Sequence, residues 1–159
     1  MGSVTRPRAL SPSDATLADE RPVMLATVGV PLDRTAAIFA VDSAVEQGRT
    51  LILVNVTRLE PLSLSVRMGY DALEEFTPEV TASMRKCADL ARSLGLRVDR
   101  LRIRSPRPVT ALIEFSDERR AGILVFGPDR TALGERAYRR TVRRLVDACP
   151  CLVWTASHA

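Results

Sequence analysis

The sequence predicts an α/β domain built on a five-stranded, mainly parallel sheet, and three observations carry that prediction. Short, continuously apolar runs such as VMLATV, LILVNV and ILVF have the composition of strands covered on both faces. Segments between them space their apolar residues by three and four, as amphipathic helices do. Strand and helix then alternate along the chain, the order that gives a parallel sheet with helices packed on it.

At 159 residues the chain is long enough for one domain with a core of its own and short for two. A hydrophobic content of 46% argues against a disordered chain. No apolar run approaches the roughly 18 to 20 residues that cross a bilayer. Residues 1–21 carry Pro, Ser and charge without an apolar segment of secretory type, and are expected to form a flexible arm. The domain is expected over 22–156, with a short tail at 157–159, and the location expected for such a chain is cytoplasmic.

Val23 to Val28 opens the domain as a buried strand that ends at Gly29 and Pro31. Asp33 is placed to cap the next helix, whose inner face is predicted from Ile38, Val41 and Val45, with Gly48 as its stop. Leu51 to Val56 is the second buried strand, and a right-handed crossover makes it parallel to the first. Residues 57–77 read as a long connection with a helical turn near 71–76. Thr77 and Pro78 then start the clearest amphipathic helix, with Val80, Met84, Cys87, Ala91 and Leu94 on one face and Gly95 at its end.

Val98 to Arg104 alternates apolar residues with Arg100, Arg102 and Arg104, the pattern of a sheet edge that is wet on one side. A third helix follows with Val109, Leu112, Ile113 and Ser116 inward, and residues 122–127 form the next central strand. The fourth helix is predicted to turn Ala137, Thr141, Val142, Leu145, Val146 and Cys149 inward. Cys151 to Thr155 closes the sheet. Its apolar residues Cys151, Leu152, Val153 and Trp154 lie on what should be an uncharged edge, so a cover is expected, and a second copy of the chain is the favoured one over the chain's own arm.

Three cysteines do not make an even disulfide framework. Cys149-Pro-Cys151 has one intervening residue where the usual redox motif has two, and no histidine or further cysteine lies near it in sequence, so small packing residues are the expected role. The net charge of +4 comes almost wholly from arginine, Lys86 being the single lysine among 23 cationic residues. Nucleic-acid binding would need those cations gathered with aromatics to stack bases, and aromatics are 4% of the chain. Arg136, Arg139, Arg140 and Arg143 are spaced to fill the solvent face of the fourth helix. A basic anion or nucleic-acid binder is kept as the weakest of three functional readings.

The order of elements, with VMLATVGV, LILVNV, ILVFG and a closing helix that ends in Ala148-Cys149-Pro150 before an apolar strand, resembles the universal stress protein family from Val23 to Thr155. That resemblance implies a Rossmann-like, adenine nucleotide alpha hydrolase-like sheet in the order 3-2-1-4-5, and a homodimer formed through the fifth strand. Nucleotide-binding members of the family carry two glycines three apart, about nine further residues and then Gly-Ser or Gly-Thr. Glycines there let backbone amides approach phosphate, and the hydroxyl adds a donor. Counted from Gly127, the second glycine position is Arg130 and the third is Arg140, so Gly127 and Thr141 alone match. Anchoring on Pro150 instead moves the pair toward Ala137 and Tyr138, again without glycine, and Gly134 lies at neither expected position.

Binders also place an aspartate at the end of the first strand, where this chain has Val28 before Gly29. A polar ligand atom set against that valine would go unpaired, at a cost of roughly 1 to 3 kcal/mol. Val28, Gly29, Gly127, Arg130, Arg140 and Thr141 are therefore the vestigial candidate site. The expected function is a universal stress protein that binds no cofactor and acts in stress response as a homodimeric interaction module, with a heterodimer with a paralogue as a further option. ATP or AMP held by an altered loop is the alternative. No catalytic constellation is visible: there is no Gly-x-Ser-x-Gly and no Walker loop, and the one histidine is His158 near the C-terminus.

Overall fold

The computed structural model describes residues 21–59 and 78–156. Its elements are β1 (Val23–Thr27), α1 (Arg34–Gln47), β2 (Leu51–Arg58), α2 (Pro78–Ser93), β3 (Val98–Ser105), α3 (Pro108–Glu118), β4 (Ile123–Phe126), α4 (Arg130–Leu133), α5 (Glu135–Ala148) and β5 (Leu152–Thr155). The five strands form one sheet in the order β3-β2-β1-β4-β5, and all four pairings are parallel. The arm, the expected turn at 71–76, the Thr77 cap and the tail with His158 lie outside the described residues.

Strand periodicity divides the core into two layers. Val23, Leu25, Leu51, Leu53, Ile123 and Val125 face α1 and α2 on one side. Met24, Ala26, Ile52, Val54, Leu124 and Phe126 face α3 and α5 on the other. β1 and β4 are buried along their whole length, which is why their sequences are apolar at every position rather than alternating. β3 keeps the alternation of an edge strand, with Leu101 and Ile103 half-buried and Arg100, Arg102 and Arg104 exposed.

Three helical faces differ from the sequence expectation. In α1 the inward residues are Ala36, Ala40, Val41 and Ala44, whereas Ile38 and Val45 are each 42% exposed. Small side chains at i and i+4 let this helix lie close on the sheet, and that closeness outweighs the pull of two larger apolar residues. In α5 the inward residues are Tyr138, Thr141 and Leu145, while Val146 is 59% exposed. Leu94 lies one residue past the end of α2 and points out, although Val80, Met84, Cys87 and Ala91 are buried as predicted. The helix ends behave as expected: Asp33 accepts from the Ala36 amide at 3.0 Å, and Gly48 closes α1 in the left-handed conformation that favours glycine.

Candidate functional site

The strand order reverses between β1 and β4. The chain leaves β1 for α1 on one face and leaves β4 for α4 and α5, with α5 packed on the other face. In open α/β sheets such a reversal opens a crevice at the carboxyl ends of the two strands. Here the loops that flank it are tied together by main chain. The Asp33 amide donates to the Gly127 carbonyl, and the Asp129 amide donates to the Pro31 carbonyl, each at 2.8 Å, around an antiparallel bridge between Leu32 and Pro128.

On the β1 side, the Thr27 hydroxyl donates to the Val30 carbonyl at 2.6 Å and closes the turn. Gly29 supplies the positive φ of 75° that this turn requires. Its amide is already engaged, donating to Asn55 Oδ1 at 2.9 Å. Val28 is half-buried and packs against the apolar layer under α3 and α5.

On the β4 side the decisive residue is Asp129. Its carboxylate caps α4, accepting from the Thr131 amide at 2.9 Å and the Ala132 amide at 3.2 Å. Free amides at a helix start are what an anion would use, and here an internal anion has taken them. Arg130 is equally occupied. Its guanidinium forks onto both carboxylate oxygens of Glu135 and lies 4.2 Å over the Tyr138 ring. Glu135 also accepts from Arg139 Nε at 2.9 Å. The hydrogen bond to Glu135 holds Arg130 above the ordinary arginine range, and the same bond holds the Glu135 carboxyl below the usual carboxylate range. Tyr138 is buried under this group against Phe126, with ring centroids 5.7 Å apart. Burial pushes its phenol up.

The other positions read from the sequence fall elsewhere. Arg140 is on the exposed side of α5. Thr141 is buried, and its hydroxyl donates to the Ala137 carbonyl at 2.9 Å, within the same helix. Gly127 does lie at the crevice, yet a Cβ there would stand 2.7 Å from Ala36 Cβ and 2.9 Å from Leu25 Cδ1. The absence of a side chain is therefore demanded by the packing of α1 on the sheet. Val28, Gly29, Gly127 and Arg130 gather at the end of β1 and β4, and Arg140 and Thr141 belong to the body of α5.

Sequence reasoning missed Asp129, Glu135 and Asn55. Asp129 had a legible signal, an aspartate before a short helix. The partnership of Arg130 with Glu135 and Tyr138 depends on the α4–α5 turn at Gly134, whose φ of 93° only the backbone reveals.

At the far edge, β5 pairs with β4 on one side and has no strand on its other side among the described residues. Leu152 is 68% exposed. Cys151, Val153 and Trp154 are half-buried. The Trp154 ring stacks on Phe39 of α1 with centroids 3.9 Å apart and planes within 5°.

A family model described as the universal stress protein family matches residues 20–156. The chain belongs to that family. Among solved structures, a universal stress protein from Archaeoglobus fulgidus in complex with dAMP is 17% identical, with 86% of this chain and 98% of that one covered at a TM-score of 0.61. The universal stress protein UspA from Lactobacillus plantarum is also 17% identical, with 86% and 99% covered and a TM-score of 0.60. A family member from Arabidopsis thaliana with AMP bound is 12% identical, with 87% and 93% covered and a TM-score of 0.56. No curated protein matches the chain. At these identities the likeness establishes the fold, and the five-strand order expected of the family is the one observed. Among the described residues no helix is long and apolar enough to cross a membrane.

Proposed function

We propose that this universal stress protein does not hold adenine nucleotide at the β1–β4 crevice and acts instead as an interaction module that pairs with a second copy of itself. One observation carries the first half of this reading: the Asp129 carboxylate sits on the Thr131 and Ala132 amides. A phosphate approaching the start of α4 would meet a negative charge where it needs donors. Arg130, the cation nearest in sequence, is already neutralised by Glu135.

The relatives named above with dAMP and AMP make adenine nucleotide the right ligand to test. Purified protein is expected to release no nucleotide on denaturation and to show no change in melting temperature with ATP–Mg. A bound ligand at ten times its Kd would stabilise by about 1.4 kcal/mol, roughly 3 to 6 °C for a chain of this size. A shift of that size, or stoichiometric nucleotide in the extract, would sink the proposal and favour an ATP or AMP binder with an altered loop.

The second half rests on β5. Among the described residues no strand takes up the outer backbone groups of β5, and Leu152 beside them is too exposed to add to the core of a single copy. A two-fold pairing of this edge with itself would satisfy both and would cover Cys151, Val153 and Trp154 at its margins. Leu152→Asp is expected to convert the dimer to a folded monomer in sedimentation velocity, because the side chain is 68% exposed in a single copy and adds little to its core, and the melting temperature is expected to fall only by the stabilisation that association contributes. An unchanged dimer would place the interface elsewhere. The same pairing could join this chain to a paralogue that retains a nucleotide site.

A further inference from the structure

Tyr138, Thr141 and Leu145 turn α5 onto the sheet. With 3.6 residues per turn, Arg136, Arg140 and Arg143 then stand on the opposite side of the helix, and all three are exposed. They span two turns, about 10 Å of helix axis. Arg139 and Arg144 flank this row, and each is already engaged: Arg139 donates to Glu135, and Arg144 Nη2 donates to the Thr110 hydroxyl at 2.9 Å. Arg136, Arg140 and Arg143 make no hydrogen bond or ion pair among the described residues. The neighbouring helix α3 exposes Glu114, Asp117 and Glu118, and none of these pairs with an arginine of α5.

The fold gains nothing from this arrangement. Like charges at i, i+3 and i, i+4 repel, as Arg136 and Arg140, Arg139 and Arg143, and Arg140 and Arg143 do here. Arg136 also lies in the first turn of α5, where the positive end of the helix dipole disfavours a cation. A row of cations that costs the helix stability and that no acid neutralises is complementary to a partner with a repeating negative charge.

We propose that the outer face of α5 binds the phosphate backbone of double-stranded nucleic acid without regard to sequence. Guanidinium groups fork onto phosphate oxygens. A duplex carries a charge about every 3.4 Å along each strand, so each arginine in the row has a phosphate within reach of its long side chain. A single strand is the poorer partner, because it needs aromatics on which to stack its bases, and Tyr138, the one aromatic residue of α5, is buried. A lipid surface is poorer too. Interfacial helices insert an apolar face; that of α5 is occupied by the sheet, which leaves Val146 as its one large apolar residue in solvent. Pairing at the β5 edge extends the sheet in its own plane, and the arginine row is turned away from the sheet, so the two surfaces do not compete. Asp147 ends the row. It stands one turn beyond Arg143 on the same exposed side, where its carboxylate repels phosphate.

The test follows the fluorescence anisotropy of two labelled duplexes of unrelated sequence, each about two helical turns long, as the full chain is added at rising salt. Both are expected to bind alike, with Kd of roughly 1 to 100 μM at physiological salt and a log–log salt slope of about −2.7, or −0.9 for each of three phosphates. Arg140→Gln should weaken both equally and flatten the slope by about 0.9, whereas Arg140→Lys should keep the slope. Replacing Arg136, Arg140 and Arg143 together by glutamine should weaken binding at least tenfold at low salt with no fall in melting temperature, since like-charge pairs are removed. Asp147→Asn should tighten binding about twofold or more. No binding at low salt, a flat salt dependence, or a triple variant that binds like the parent would each overturn the proposal. So would tighter binding to a single strand of the same length or to phosphatidylserine vesicles.

Discussion

Replacing Gly127 by alanine is expected to destabilise the protein by about 2 to 3 kcal/mol, the upper part of the range for forcing an extra methyl into a packed interior. The added Cβ would meet Ala36 Cβ at 2.7 Å and Leu25 Cδ1 at 2.9 Å. The leucine methyl belongs to a fully buried side chain with little room to turn, and Ala36 Cβ is fixed to the backbone of α1. One of them must move, and moving Ala36 lifts the helix from the sheet. A fall in melting temperature of roughly 4 to 12 °C is the measurement. Gly127 is not among the positive-φ glycines, so the cost is one of contact rather than of backbone strain. Ala36→Gly should therefore recover part of it in the double variant, although glycine within a helix costs about 1 kcal/mol by itself. A neutral Gly127→Ala, or strict additivity with Ala36→Gly, would show that the contact is not what keeps glycine there.

The fold was legible because its determinants are local: apolar runs for β1, β2 and β4, arginine alternation for β3, and helical spacing in α2. Burial within α1 and α5 was less legible. Ile38, Val45 and Val146 satisfy the spacing rule as well as their neighbours do, and only the distance from helix to sheet decides that alanines go inward in α1. The candidate site was legible as a set of departures at Val28, Arg130 and Arg140. What replaces the glycines was not, because Asp129, Arg130, Glu135 and Tyr138 converge through the turn at Gly134. A motif count also could not say why Gly127 remains. Its neighbours in space, Leu25 and Ala36, lie some 90 to 100 residues away along the chain.

Tyr138→Ala should have the other large effect, about 3 to 5 kcal/mol, as for truncation of any buried aromatic. The ring is 5% exposed, rests on Phe126 and supports the Arg130 guanidinium. Its hydroxyl reaches the Thr155 side chain at the end of β5. Truncation therefore opens a cavity between α5 and β4 and removes the shelf beneath the Arg130–Glu135 pair. Thermal melts should fall by roughly 10 °C. Tyr138→Phe keeps the ring and the stacked cation and should cost only about 1 kcal/mol, the worth of one hydrogen bond. If the two variants melt alike, the ring is not the support that its position indicates.

The stack of Trp154 on Phe39 has an optical consequence. Trp154 is the only tryptophan in the chain, and it sits on the strand that has no neighbour on its outer side among the described residues. Its indole touches α1 through Phe39, and its backbone belongs to β5. Emission excited selectively in tryptophan thus comes from a single chromophore at one known place. The molecule carries its own fluorescent reporter where the last strand meets the first helix, and the state of that edge can be followed without a label.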